Sequence, residues 1–535
     1  MDVLVVGGGI TGAGVAREAA LRGLRVALVE QEDFAAGTSS RSSKIVHGGI
    51  RYLEYLQISM VRESAQERRV LRRIAPHLVH PIPFLYPVYR GESLAKIRLG
   101  LALFDFLGSS ERGERARLAD PRRVREQLPG LRDPLKGGVR YREYITDDAR
   151  LTLETAQSAA IHGARVANHA SALAFLTDHR GRVRGARIQD RLTEAEREVR
   201  ARVVVNAGGP WASEVASTGG VELPKRIIPS KGVHILFPAE RLPMEGASFL
   251  TSSTGRRGLA MRRGEWVYVG TSDDEYHGPL DRARATRDEA EDLLAMTRDC
   301  FPEQDLTLDD IVSTWAGIRP LIYEEGKTTR DTSRHDELWT EPEGLVTVAG
   351  GKLTTYRRMA QRVMRRVEEQ LGNPRPPGVA VTSRTPLPGA PGVQADSLEV
   401  VRESQRRRLR EAEVPDPAIE RLTWLYGTQL DRILDYGSQA PEWLEPLHEG
   451  SRALRGEVRL AVEEEMALTV ADVLDRRLAL LLFSRDRGRA ALEPVVEIMS
   501  ELLGWDEERR SREREGYMTL VEEHGVPAAD QATPT

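Results

Sequence analysis

Val3-Leu4-Val5-Val6-Gly7-Gly8-Gly9-Ile10-Thr11-Gly12, continued by the alanine-rich run Ala13 to Arg22 and by Arg25 to Val29 with Glu30 behind it, decides the fold. The four apolar residues are a short strand, the glycines a turn and the alanine-rich run a helix, after which a second strand ends on an acid. In Gly7-x-Gly9-x-x-Gly12 the first glycine permits the sharp turn and the second lets backbone approach a pyrophosphate. The third lets helix and strand pack closely, with the helix N-terminus aimed at the phosphates. A tight strand-to-helix turn needs glycine on steric grounds alone, so the motif gains its meaning from its surroundings. Glu30 stands eighteen residues after Gly12, where a carboxylate accepts hydrogen bonds from both hydroxyls of an adenosine ribose and repels a 2′-phosphate. An adenine dinucleotide, NAD or FAD, is the implied ligand.

Working outward, 535 residues exceed one core and suggest two or three domains. A net charge of −4 gives no electrostatic reason to expect nucleic acid. No run reaches the ~18 apolar residues of a membrane span, and the first strand begins at once, leaving no room for a signal peptide. A cytoplasmic protein is expected. With Cys300 as the single cysteine, a disulfide framework, a thiolate-held iron–sulfur cluster and a redox cysteine pair are excluded. The histidines show no close metal-ligand spacing, so no metal is expected. Electrons, if handled, pass through an organic cofactor.

After Glu30, Gly37-Thr38-Ser39-Ser40-Arg41-Ser42-Ser43-Lys44 offers hydroxyls and backbone N–H groups to a cofactor. Ile45-Val46-His47-Gly48-Gly49-Ile50-Arg51-Tyr52 then reads as a loop passing under something flat. Two basic amphipathic stretches, Val61 to His80 and Ile97 to Leu107, flank the proline-broken Pro81 to Phe84; each fits a helix docked on its own domain or one lying in a membrane interface. Ser171 to Val205 alternates as a β-meander and exits through a second glycine turn, Asn206-Ala207-Gly208-Gly209-Pro210-Trp211, so the nucleotide fold is discontinuous in sequence. The sheet is re-entered at Gly344 to Ala349, followed by Gly350-Gly351-Lys352-Leu353-Thr354. Proline-rich sequence follows, and from about Asp396 to Tyr517 the pattern is helical and heavily charged. Only seven residues are lysine, yet Lys44, Lys231 and Lys352 all fall inside motif-like islands, which weights them toward function.

The expected fold is α/β plus α. A Rossmann-like FAD-binding domain comprises 1–80, 140–215 and 340–372, and a mixed or antiparallel-sheet substrate domain comprises 81–139 and 216–339. A linker (373–395), an all-α C-terminal domain (396–520) and a flexible tail (521–535) complete the chain.

Together with Asp147-Asp148-Ala149-Arg150-Leu151, Ser230-Lys231-Gly232-Val233-His234, Gly270-Thr271-Ser272-Asp273 and Gly317-Ile318-Arg319-Pro320-Leu321, these islands occur in an order that resembles the FAD-dependent glycerol-3-phosphate dehydrogenases, respiratory enzymes related to D-amino-acid and sarcosine oxidases. The resemblance covers most of the chain, including Glu464 to Arg477. It implies non-covalent FAD, oxidation of sn-glycerol 3-phosphate to dihydroxyacetone phosphate, a quinone as acceptor, and peripheral attachment to the inner face of the cell membrane; a homodimer stays open. The cysteine-rich tail of anaerobic multi-subunit relatives is absent, as is the long insertion of the oxygen-reducing oxidases.

By the same resemblance, Gly7, Gly9, Thr11, Gly12, Glu30, Thr38, Ser39, Ser40, Ser43, Lys44, His47, Gly48, Gly49, Ala207, Gly208, Trp211, Gly351, Lys352, Leu353 and Thr354 hold the cofactor. Arg51, Tyr52, Arg319 and Arg330 bind substrate, with Arg334 competing with Arg330 and Lys352 assisting, because a planar guanidinium matches phosphate oxygens with two hydrogen bonds. His47 is the first choice of base and His234 the second. Lys352 supplies fixed positive charge beside the flavin, and Arg319 joins these as a catalytic candidate. The rivals are an oxidase releasing hydrogen peroxide, an amino- or hydroxy-acid flavoenzyme, and a non-catalytic flavoprotein.

Overall fold

Two sheets at opposite sides of a shared cavity organise the computed structural model, which describes residues 1–49, 58–108, 115–325, 335–372 and 381–528. In the first sheet the strand order is Asp336–Trp339, Leu345–Gly350, Val203–Asn206, Val3–Val6, Val26–Val29 and Arg165–Ala167. All pairings are parallel except that of Asp336–Trp339. Val3, Leu4 and Val5 are fully buried, as strands covered on both faces require. The sheet gathers strands from three separated stretches, so the discontinuity expected from the two glycine turns is what the topology shows.

Helix Ile10–Leu21 lies on this sheet and uses small residues to come close. Ala13, Ala16 and Ala19 have no exposed surface, and a Cβ at Gly14 would stand 2.8 Å from the ring of Tyr356 in helix Tyr356–Leu371. The meander is present as an antiparallel three-stranded sheet of Ala170–Thr177, Val183–Asp190 and Glu196–Arg200.

The second large sheet is mixed and mostly antiparallel, centred on Ile227–Pro238, Trp266–Gly270, Arg257–Arg263, His80–Tyr89 and Leu135–Ile145. Residues 140–145, expected with the nucleotide domain, end one of its strands, and Ile45–Val46 pairs with them. Pro81 to Phe84 is a strand rather than a break. Pro81, Pro83 and Pro87 face Tyr144, Arg142 and Gly138 in the register and, being an even number of residues apart, turn their nitrogens to one and the same edge. The Pro83 carbonyl marks that edge by its closeness to Gly246, and there the pairing with Ala247–Thr251 is only two residues long. Prolines cost few hydrogen bonds in such a place.

Helices and short helical turns run from Leu398 to Glu523. The described part of the proline-rich segment is packed, with Leu387 fully buried and its N–H bonded to the Ile74 carbonyl. Arg17 reaches out of the nucleotide helix to the Thr382 and Thr385 carbonyls, tying that segment down.

Candidate active site

The glycine turn is shaped by contacts that leave no room for a side chain at two positions and some at a third. Gly7 has φ +109°, and a Cβ there would lie 2.5 Å from the Ala207 carbonyl oxygen. At Gly12 it would lie 1.8 Å from the Gly7 carbonyl oxygen. At Gly9 it would meet only the Ser39 hydroxyl, at 3.1 Å, so backbone N–H groups at the start of the helix face an open cradle. The Ser39 Oγ accepts from the Ile10 N–H at 2.9 Å, and Thr11 lies half-buried in the same first turn. Glu30 accepts from the Gly8 N–H at 2.6 Å and from the Glu32 N–H at 3.0 Å. Burial pushes its carboxyl pKa up, against the downward pull of those N–H groups.

Beyond the turn opens a cavity of about 1360 Å³. Thr38, Ser43, His47, Gly49, His234 and Arg319 line it, as do Gly351, Lys352, Leu353 and Thr354 from the late return to the first sheet. Segments some 300 residues apart are thus brought to one space, and Thr354 shows how: its hydroxyl donates to the His47 carbonyl at 3.3 Å across a separation of 307 residues. The next residue, Gly48, donates its N–H to Glu143 at 3.1 Å, and Glu143 in turn pairs with Arg68 at 2.9 Å, both side chains only 2% exposed. His47 therefore sits on a loop pinned on both sides.

Arg319 comes from strand Ser313–Ile322, and its guanidinium lies across Gly232 of the neighbouring strand. A Cβ at Gly232 would stand 2.1 Å from Nη2, so only glycine leaves that path open. Nη1 donates to Asp273 Oδ1 at 3.1 Å and Nη2 to Thr271 Oγ1 at 2.8 Å, which fixes the plane of the fork. Lys352 stands at the start of the turn Leu353–Thr355, directly after Gly350 and Gly351, whose φ values of +78° and +91° swing the chain toward the cavity. Arg51, Tyr52, Arg330 and Arg334 lie outside the described residues.

The profile of the FAD dependent oxidoreductase family matches residues 2–357, and that of the C-terminal domain of alpha-glycerophosphate oxidase matches residues 380–510. The aerobic glycerol-3-phosphate dehydrogenase of Bacillus subtilis is 35% identical over 98% of this chain and 95% of its own. The chain belongs to the FAD-dependent glycerol-3-phosphate dehydrogenases. The glycerol-3-phosphate dehydrogenase of Bacillus halodurans, solved in complex with FAD, superposes with a TM-score of 0.83 at 32% identity, covering 100% of this chain and 96% of that one. Glycerophosphate oxidase from Mycoplasma pneumoniae, at 15% identity and a TM-score of 0.56, shares the fold.

As in an FAD-dependent dehydrogenase, the residues present fit the dinucleotide: at Gly9 only the Ser39 hydroxyl approaches, Glu30 ends the second strand beside the glycine turn, and the cavity is lined by the third return to the sheet. Gly208 donates its N–H to the Asn206 amide oxygen at 3.1 Å, and Trp211 packs against Gly37, where a Cβ would stand 3.0 Å from the indole. The serine-rich loop is thereby held to the second glycine turn.

Four sequence expectations need correction. Lys44 does not line the cavity: its ammonium group, 4% exposed at the side chain, donates to Asp148 Oδ1 at 2.6 Å and to the Ser40 carbonyl at 2.9 Å. Ser40, 2% exposed, turns its hydroxyl to Arg41 and the Gly37 carbonyl, so its role is within the loop. Lys231 pairs with Glu289 at 2.9 Å. His234, the second choice of base, is 2% exposed, stacks on Trp315 at 4.8 Å between centroids, and shares a 2.8 Å hydrogen bond with the Ser43 hydroxyl. Burial, with Arg319 and Lys44 nearby, holds its pKa well below the ordinary histidine value. The structure thus places His234 at the cavity wall as a neutral imidazole bonded to Ser43.

Sequence reasoning missed the acids that do the holding. Asp148, with no exposed surface, also accepts from the Ser42 N–H at 3.1 Å and the Ser42 hydroxyl at 2.7 Å, so the loop folds around one carboxylate. Glu143, Asp273 and Asp475 were likewise overlooked. Asp148 and Asp273 stood within quoted motifs; Glu143 and Asp475 had no local signal.

Proposed function

We propose that this chain oxidises sn-glycerol 3-phosphate at its secondary alcohol to dihydroxyacetone phosphate and delivers the electrons to a membrane quinone. The observation that carries the reading is the meeting of Arg319, His47 and Lys352 around one cavity next to the dinucleotide cradle. Bound FAD supplies the redox chemistry, accepting a hydride equivalent and passing electrons on. Arg319 brings its positive charge to the cavity wall to attract the phosphate, on a plane fixed by Asp273 and Thr271, while Asp273 partly neutralises it. His47 receives the alcohol proton from a loop anchored by Thr354 and Glu143, and Lys352 places a positive charge at the glycine turn where negative charge accumulates. The relatives named as glycerol-3-phosphate dehydrogenases support the substrate.

A second part of the same cavity supports the acceptor. Its lining also includes Phe84, Tyr86, Ile97, Leu101, Phe249 and Leu259, apolar surface suited to a quinone ring, alongside polar residues such as Glu92 and Arg257. Ile97 and Leu101 belong to helix Leu94–Gly108, on which Leu99 is 72% exposed. Among the described residues no helix is long and apolar enough to cross a membrane, so the attachment we propose is that of a helix lying on the lipid surface.

Anaerobic addition of sn-glycerol 3-phosphate to the yellow protein should bleach its absorbance near ~450 nm. Bleaching by an amino or hydroxy acid and not by the phosphate ester would overturn the substrate. Stoichiometric hydrogen peroxide in air, with no reduction of a soluble quinone, would replace the acceptor with oxygen.

A further inference from the structure

The C-terminal helical domain touches the cofactor loop through charges rather than through apolar surface. Its π-helical turn, Asp472–Arg477, is buried at every residue. Arg476 donates to Asp33 Oδ2 at 2.7 Å and Arg477 to both Asp33 oxygens at 2.5 and 2.9 Å. Asp475 receives a forked pair of hydrogen bonds from Arg41 at 3.1 and 2.6 Å, and Asp472 accepts from Arg476 at 2.6 Å and pairs with His169 at 2.9 Å. Asp33 and Asp472 have no exposed side-chain surface, Arg477 and Asp475 have 1%, and Arg41 has 13%.

Asp33 and Arg41 are the two ends of one segment. Between them lie Gly37, against Trp211; Thr38, whose hydroxyl donates to the Ile318 carbonyl at 2.5 Å; and Ser39, whose hydroxyl caps the helix at the glycine cradle. Thr38 and Arg41 also line the cavity. The segment is therefore the wall that runs from the pyrophosphate cradle to the flavin end of the site, and both ends of it are gripped from the other domain.

The π turn explains why four charges reach the same place. In an α-helix a residue five positions on is rotated by roughly 140° from the first, which would carry Arg477 away from Asp472. The i→i+5 bond from the Leu478 N–H to the Val473 carbonyl, at 2.9 Å, widens the turn and brings Arg477 back to the side of Asp33. Burying these ions has a desolvation cost that apolar side chains would avoid, so cohesion alone is a weak reason for the network; fixing one geometry is a better one.

We propose that the π turn of the C-terminal domain is a positioning element for FAD: by clamping Asp33 and Arg41 it holds residues 33–41 in the conformation that binds the dinucleotide. The C-terminal domain thus completes the cofactor site without contributing a residue that touches the cofactor.

The test uses the full-length holoenzyme and follows release of FAD on dilution by the recovery of its fluorescence, together with the visible circular dichroism of the bound flavin. Asp475→Asn and Arg477→Gln should each speed release by about tenfold or more and alter the visible dichroism while far-ultraviolet dichroism is unchanged. Val495→Ala, in the fully buried core of the C-terminal domain, should lower thermal stability and leave both flavin signals as they were. Asp475→Glu, which keeps the charge and folds more safely, should lie between wild type and Asp475→Asn. Unchanged release in folded Asp475→Asn and Asp475→Glu, or an equal acceleration by Val495→Ala, would overturn the proposal. None of these readouts depends on the substrate.

Discussion

Asp148→Asn should be far more damaging than Asp148→Asn combined with Lys44→Met. The two side chains are 0% and 4% exposed and 2.6 Å apart. At an effective dielectric of ~20 their attraction is about 6 kcal/mol, against which stands a desolvation penalty of several kcal/mol for each ion. Removing the carboxylate alone leaves a buried ammonium facing the Ser40 carbonyl and a neutral amide, at an expected loss of about 3–5 kcal/mol. It also frees both hydrogen bonds from Ser42. Replacing Lys44 as well removes the charge that needed compensation, so the double variant should regain most of the loss. The comparison is made by urea unfolding of the holoenzyme, read as the order of midpoints because a chain of several domains need not unfold in one step. Flavin content is measured alongside. If the double variant is no more stable than Asp148→Asn, the pair is not the buried ion pair described. If the double variant is as stable as wild type but cannot hold FAD, Lys44 is a cofactor ligand after all.

At Arg319, substitution by Lys should lower kcat/KM for the phosphate substrate by roughly tenfold to a hundredfold, since one ammonium cannot hold both Asp273 and Thr271 and so loses the fixed position of the charge; steady-state kinetics with a quinone acceptor decides it. Gly9→Ala should fold and weaken FAD binding, because its methyl group meets only the Ser39 hydroxyl, whereas Gly12→Ala should fail to accumulate as folded protein, because its methyl group meets the Gly7 carbonyl; expression and flavin titration separate the two. Burial holds His524 down to about pKa 3 and His234 well below its ordinary value. The unfolded chain takes up protons at these sites below about pH 6.5 while the folded one does not, so stability falls as pH drops, by up to about 1.4 kcal/mol per pH unit per histidine. His524→Gln should shallow that decline in a pH series of urea midpoints. Leu99→Glu should weaken sedimentation with anionic liposomes, and unchanged binding would move the membrane contact elsewhere.

The nucleotide fold was legible because its signals are local. Strand, glycines, helix and Glu30 fall within thirty residues, and Gly7 and Gly12 answer to backbone one sheet neighbour or a few residues away. His47, Arg319 and Lys352 could be named because motifs surround them. Lys44 was misread for the same reason: it stands in a motif, and nothing near it in sequence shows that its partner lies 104 residues on. The prolines at 81 and 83 read as a break because periodicity does not say which edge of a strand will be left unpaired.

What sequence could not show is which charges are spent on holding other residues. Arg41 and Asp475 are 434 residues apart, Asp33 and Arg477 are 444, and Ser42 and Asp148 are 106. In a chain with seventy arginines, pairings at such distances are set by how the sheets and the C-terminal helices dock. The pattern they make has a physical logic. The Thr38 to Ser43 wall must present hydroxyls and N–H groups inward to a polar ligand, so it has no large apolar side chain with which to bury itself. It is fixed instead by carboxylates that are geometrically exacting, Asp148 from the nucleotide domain at Ser42 and Asp475 from the helical domain at Arg41, while Arg476 and Arg477 hold Asp33 ahead of it. A polar binding loop on a flavin fold obtains its rigidity from buried charge because apolar packing is denied to it.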